Sequence, residues 1–163
     1  MKIFQIGIII IVNLILQSTL VHFIQIHNVI PNLGLVLAIC FAINEEKKNG
    51  ILIAFAIGIL QDILFGRVIG LNALIYILIW YIISVINKSI FRENFVIPII
   101  FTTLGTIFYY IIGIFFIYFL GYELNAITTY GNILLIEVIY NGLISIFVYK
   151  YIYRIYKSAK NRY

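Results

Sequence analysis

The sequence predicts an all-α integral membrane protein, a compact bundle of six transmembrane helices with both termini cytoplasmic. Three observations carry that expectation. Of the 163 residues, 64% are hydrophobic and only 10% are charged. An ordinary globular domain carries about 25% charged residues, so a soluble chain of this size could not cover so much apolar surface. Apolar stretches of near-membrane length recur six times, separated by short polar connections. Finally, the basic residues fall almost wholly on one side of the six-span arrangement.

The spans are expected at about 3–24, 29–44, 50–65, 70–87, 95–120 and 132–150, in a single domain with a basic cytoplasmic tail over 151–163. A spanning helix needs about 20 apolar residues. The first stretch meets that length, interrupted by Asn13 and by Gln17-Ser18-Thr19. Lys2 gives it a signal-like charge, but the apolar run is too long for a signal peptide and no small-residue cleavage site follows, so it reads as a retained span. The second stretch is the weakest. Pro31 suits a first helical turn, and 33–43 is continuously apolar, yet its length fits a short span or a re-entrant element. The third runs from Gly50 toward Phe65 and the fourth from Gly70 to Asn87, with Trp80 and Tyr81 inside it. The fifth is long, with Pro98 near its start. The sixth begins near Asn132 and enters the tail sequence KYIYRIYKSAKNRY.

Charge supplies the orientation. Of 11 Lys and Arg, Lys2, Lys47, Lys48, Lys88, Arg92, Lys150, Arg154, Lys157, Lys160 and Arg162 share one side, and Arg67 alone takes the other. Such asymmetry places that side in the cytoplasm. It also supports the weak second span, because a re-entrant element would put the tail opposite Lys2. The net charge of +5 is thus explained by topology, not by nucleic acid. The tail reads as an interfacial anchor: Lys150, Arg154 and Lys157 meet anionic lipid while tyrosines sit at headgroup level.

Two acids fall within spans, Asp62 and Glu137. An ionised group in hydrocarbon is costly, so such residues are placed for a reason. The orientation sets both about one turn or slightly more below the outer surface, roughly 6–7 Å. Arg67 lies at that rim, Asn72 begins the next helix there, and Asn141 lies one turn from Glu137. Asp62, Arg67, Asn72, Glu137 and Asn141 therefore form one expected polar layer in the outer leaflet. It could pin helices or dock a partner, or it could be a ligand or proton site; its place near the wettable rim favours the first.

Small residues recur every four positions around Asp62. Ala54-x-x-x-Gly58 lets backbones approach closely, and Gly66 with Gly70 shapes a tight external turn. Strict four-residue spacing drifts about 40° per step, so the series is not one flat face. In the fifth span Thr102, Thr106, Tyr109 and Gly113 share a face, expected to look into the bundle. Motifs for a catalytic serine, a zinc-dependent hydrolase or a phosphate loop do not occur. His22 and His27 bracket the first loop as polar edge, and Cys40 stands alone, so no cofactor or metal is expected. The sequence argues against an enzyme.

Ile30-Pro31-Asn32-Leu33, then Gly58-Ile59-Leu60-Gln61-Asp62-Ile63-Leu64-Phe65-Gly66, then Gly70-Leu71-Asn72-Ala73-Leu74 and a tyrosine-bearing helix resemble the rod shape-determining protein MreD family. The resemblance spans essentially the whole chain, with its sharpest part at 30–81. The family often has Pro-Asp where this chain has Pro31-Asn32. The resemblance implies a non-enzymatic component of the bacterial cell-elongation machinery. It implies an MreC-like bitopic membrane partner and a place with the RodA-type glycosyltransferase, its penicillin-binding transpeptidase and, indirectly, the MreB filament. It also implies a fold similar to the substrate-binding subunits of energy-coupling-factor transporters. The alternative function is therefore a substrate-binding membrane subunit of a vitamin-type transporter. Bulky residues over 7–16, where those subunits carry small coupling residues, count against it.

Overall fold

The computed structural model describes residues 3–19, 23, 25–27, 29–44, 47–66, 68–86, 94, 96–119 and 126–160. Among them the chain forms six helices: α1 (Ile3–Ser18), α2 (Leu33–Asn44), α3 (Lys47–Phe65), α4 (Leu71–Ile86), α5 (Val96–Phe119) and α6 (Ala126–Lys160). Two contain windows long and apolar enough to cross a bilayer, Val96–Phe116 and Ile133–Ser158; the other four are shorter apolar helices.

The second helix, the weakest stretch in the sequence, is the centre of the fold. All 12 of its residues are buried, and it packs against each of the other five helices. Twelve residues rise only about 18 Å, well short of the hydrocarbon thickness. Its apolar character on every side follows from that position, since a helix enclosed by protein has no polar face to show. Around it, α3 pairs with α4 and α5 with α6, while α1 packs on α2 and α3. The outer faces carry large exposed apolar side chains, such as Ile11, Leu52, Leu104 and Phe147. In water that surface would be unstable; against lipid it is expected.

The chain reaches α2 through irregular backbone. Ile26 and Val29 form an isolated bridge, with His27 at φ 50° in the turn between them. Non-helical backbone at membrane depth is tolerated only where protein satisfies its polar groups. Around Pro31 and Leu33 side chains of α1 do so: Gln17 accepts from the Leu33 N–H at 2.9 Å and donates to the Pro31 carbonyl at 3.2 Å, and Asn13 donates to the Leu33 carbonyl. Two of the polar interruptions of the first stretch, Asn13 and Gln17, thus serve the start of α2.

The sixth helix continues through the basic tail as far as Lys160. Tyr149 and Ile152 are fully buried, and Tyr156 meets Phe41 of α2 edge-on at 6.5 Å. That packing carries the helix past the apolar run. Lys150, Arg154 and Lys157 lie on its exposed side, with the Lys157 ammonium 5.7 Å from the Tyr153 ring centre.

Candidate functional site: a polar knot joining six helices

The knot has two halves. The first joins α3 to α4 through Asp62, which is 1% exposed. Its carboxylate accepts hydrogen bonds from three backbone amides at the start of α4: Gly70 N–H to Oδ2 at 2.9 Å, Asn72 N–H to Oδ1 at 3.0 Å and Ala73 N–H to Oδ2 at 3.1 Å. The first amides of a helix have no intrahelical acceptor, and the helix dipole favours negative charge there. Asp62 is therefore an N-terminal cap supplied from the preceding helix. The geometry needs α3 and α4 to touch. A Cβ on Gly58 would lie 2.4 Å from the Ala73 Cα, so only glycine permits this approach. The turn depends on glycine as well. Gly70 sits at φ +97°, and a Cβ on Gly66 would lie 2.6 Å from the Asp62 carbonyl oxygen. Ala54, one turn before Gly58, is buried at 1%.

The second half centres on Asn32, which caps α2. Its side-chain oxygen accepts from the Leu35 N–H at 3.0 Å, as an N-cap does. The same oxygen accepts from Gln61 Nε2 of α3 at 2.9 Å and from the Tyr76 hydroxyl of α4 at 3.0 Å. The Asn32 N–H donates to Asn141 Oδ1 of α6 at 2.9 Å. Asn141 in turn donates to Thr106 Oγ1 of α5 at 3.1 Å and to Glu137 Oε1 at 3.3 Å. The Tyr110 hydroxyl donates to the other Glu137 oxygen. Tyr109 of α5 closes the circuit by donating to Asn72 Oδ1 at 2.7 Å. With Gln17 from α1, five helices contribute side chains, and α2 joins through its cap Asn32 and the Leu33 and Leu35 amides.

The residues expected to share one layer are thus distributed over this knot. Asp62 meets Asn72 through its backbone amide, and Glu137 meets Asn141. None of the described hydrogen bonds runs between Asp62 and Glu137, and Arg67 lies outside the described residues. Thr102 and Thr106 are fully buried and look into the bundle. Sequence reasoning missed Asn32 as the hub, along with Gln61, Tyr76 and Tyr110. The available signal for Asn32 was its place just before an apolar helix, where a side-chain oxygen caps.

Between the halves lies a cleft of about 310 Å³, walled by residues of α1, α3, α4, α5 and α6 and by the 30–32 segment that leads into α2. Gln17, Asn32, Gln61, Asn72, Tyr109, Tyr110 and Glu137 give it polar surface; Ile30, Phe65, Leu71, Ile75 and Ile114 give it apolar surface. Among the described residues no group of three His, Cys, Asp or Glu is placed to hold a metal ion.

A family model described as rod shape-determining protein MreD matches residues 1–156. Searches of curated proteins and of solved structures give no match.

Proposed function

The chain belongs to the MreD family of rod shape-determining proteins, and on that premise we propose that it is a non-enzymatic scaffold of the cell-elongation machinery in the bacterial cytoplasmic membrane. It crosses the membrane six times with both termini inside. It helps organise lateral peptidoglycan synthesis by holding an MreC-like bitopic protein beside a RodA-type glycosyltransferase and its penicillin-binding transpeptidase, with the MreB filament reached indirectly.

The family match carries this reading. Two features of the chain agree with it. The central polar groups, Asp62 and Asn32, accept hydrogen bonds from helix N-termini and neighbouring helices, which suits a rigid platform. The ten-to-one bias of basic residues suits cytoplasmic termini, and the exposed Lys150, Arg154 and Lys157 suit contact with anionic lipid at that surface.

The test is co-purification from native membranes in mild detergent, combined with cell shape after depletion. The reading expects an MreC-like bitopic protein in the eluate and rounded cells on depletion. A coupling ATPase module in its place, with cell shape unchanged, would overturn it in favour of a transporter subunit.

A further inference from the structure

We propose that the cleft between the two halves of the knot binds an uncharged group bearing hydroxyl or amide functions, presented either by a membrane lipid headgroup or by a free solute. The inference does not depend on which proteins assemble with the chain.

Size comes first. A space of about 310 Å³ would hold about ten water molecules at roughly 30 Å³ each. That matches the lower end of small-molecule pockets, about 300 Å³.

Hydrogen bonding sets the chemistry. Asn32 and Asn72 both line the cleft and are 9% and 8% exposed. Each has its side-chain oxygen engaged, Asn32 by three donors and Asn72 by Tyr109. Neither side-chain nitrogen donates to any described residue, and neither is among the enclosed unpartnered atoms. Two amide donors on α4 and at the start of α2 therefore offer their hydrogens to whatever fills the cleft. An occupant that excluded water without accepting from these donors would leave them unpaired, which is costly, so the cleft favours a group with acceptor oxygens.

Glu137 supplies the opposite polarity from α6. Its oxygens already accept from Tyr110 and Asn141, but a carboxylate has about four acceptor sites. It can take a further hydroxyl or amide hydrogen, and it disfavours an anion. The apolar walls at Leu71, Ile75 and Ile114 disfavour a small ion stripped of water. A group that both accepts and donates without net charge satisfies all three constraints.

Gly113 provides a clean way in. It lines the cleft, and a Cβ built there meets nothing within 4 Å. The first atom of a side chain there meets open space, so Gly113→Phe is the variant chosen to obstruct the site, and its unfolding midpoint checks that the knot is spared. Asn72→Leu is the second variant: it removes one donor, together with the acceptor of the Tyr109 hydroxyl, and keeps the backbone N–H that binds Asp62.

The experiment uses the full chain in nanodiscs of zwitterionic lipid. Methyl glucoside is the free probe, followed by equilibrium dialysis. Monoglucosyl diacylglycerol is the lipid probe, followed by native mass spectrometry. Sodium phosphate and choline chloride are charged competitors. Saturable binding of at least one neutral probe is expected, weakened tenfold or more by Gly113→Phe and by Asn72→Leu, with the unfolding midpoint of Gly113→Phe within a few degrees of the parent. Methyl glucoside alone binding identifies a solute site; the lipid alone identifies a headgroup site. The proposal is overturned if neither neutral probe saturates, if phosphate or choline displaces it at lower concentration than its own unlabelled form, or if both variants bind as the parent does.

Discussion

Gly58 of α3 rests against the backbone of Ala73 of α4, so close that a Cβ on Gly58 would fall 2.4 Å from the Ala73 Cα. One turn further along α3, Asp62 accepts the Ala73 N–H at 3.1 Å. The two facts are one device. The missing side chain lets the helices touch, and the touch brings the first amides of α4 within reach of a carboxylate. The Gly-x-x-x-Asp-x-x-x-Gly pattern thus has a distinct physical reason at each position: close approach, capping and turn.

Gly58→Ala tests the first of these. The added methyl meets backbone, which cannot swing aside as a flexible side chain could, so the helices must part. Overpacking of this kind costs about 1–3 kcal/mol. The expected outcome is a lower unfolding midpoint in detergent, measured by differential scanning fluorimetry, and an unchanged midpoint would show that the interface yields freely.

Asn32 should tolerate only a replacement that keeps its acceptor oxygen. Asn32→Leu removes the α2 cap and leaves Gln61 and Tyr76 without their shared acceptor. The expected loss is about 3 kcal/mol or more, from a cap worth about 1 kcal/mol and buried donors worth about 1–3 kcal/mol each. Asn32→Asp retains the acceptor and should recover most of that stability. Equilibrium unfolding of the two variants side by side would check the ordering.

Tyr110→Phe isolates one contact of Glu137. It removes the hydroxyl donor and leaves a buried carboxylate with Asn141 as its described partner. A loss of about 1–3 kcal/mol is expected. Tyr118→Phe, at a residue 60% exposed, is the matched control and should stay within about 0.5 kcal/mol.

Orientation is open to a chemical test. Ser158 lies exposed on the last turns of α6, and the native thiol of Cys40 is buried, so a cysteine at 158 would be the reactive one. A membrane-impermeant maleimide should label Ser158→Cys only after the cytoplasmic membrane is permeabilised. Labelling in intact spheroplasts would place the tail outside.

Much of the fold was legible in the sequence because hydrophobic length acts locally. The six apolar stretches correspond to the six helices, and the two acids singled out within them, Asp62 and Glu137, are buried. What was illegible lies in contacts across the chain. Asn32 and Asn141 are 109 positions apart, and no periodicity links them. The role of α2 was hidden for a related reason: a 12-residue apolar run reads as a deficient span, whereas full enclosure by five other helices makes that shortness workable. The carboxylate of Asp62 was legible as buried, but its destination was not. The amides of a helix N-terminus leave no mark in the sequence, since every residue type except proline carries one. The length of α6 was likewise concealed, because the tyrosines and isoleucine that hold it against α2 lie among lysines and arginines that mark a membrane edge.

The central claim is that Asp62 is the cap holding α4 onto α3, and the thermal unfolding midpoint of purified Asp62→Ala against the parent protein in the same detergent tests it most directly. The substitution strands three amides that now meet a carboxylate. Hydrogen bonds to a charged group are worth about 1.5–3 kcal/mol each, so a total loss of at least about 3 kcal/mol is expected. For a chain of this length that corresponds to a fall of roughly 6 °C or more. An Asp62→Ala protein that unfolds at the parent's temperature would contradict the account.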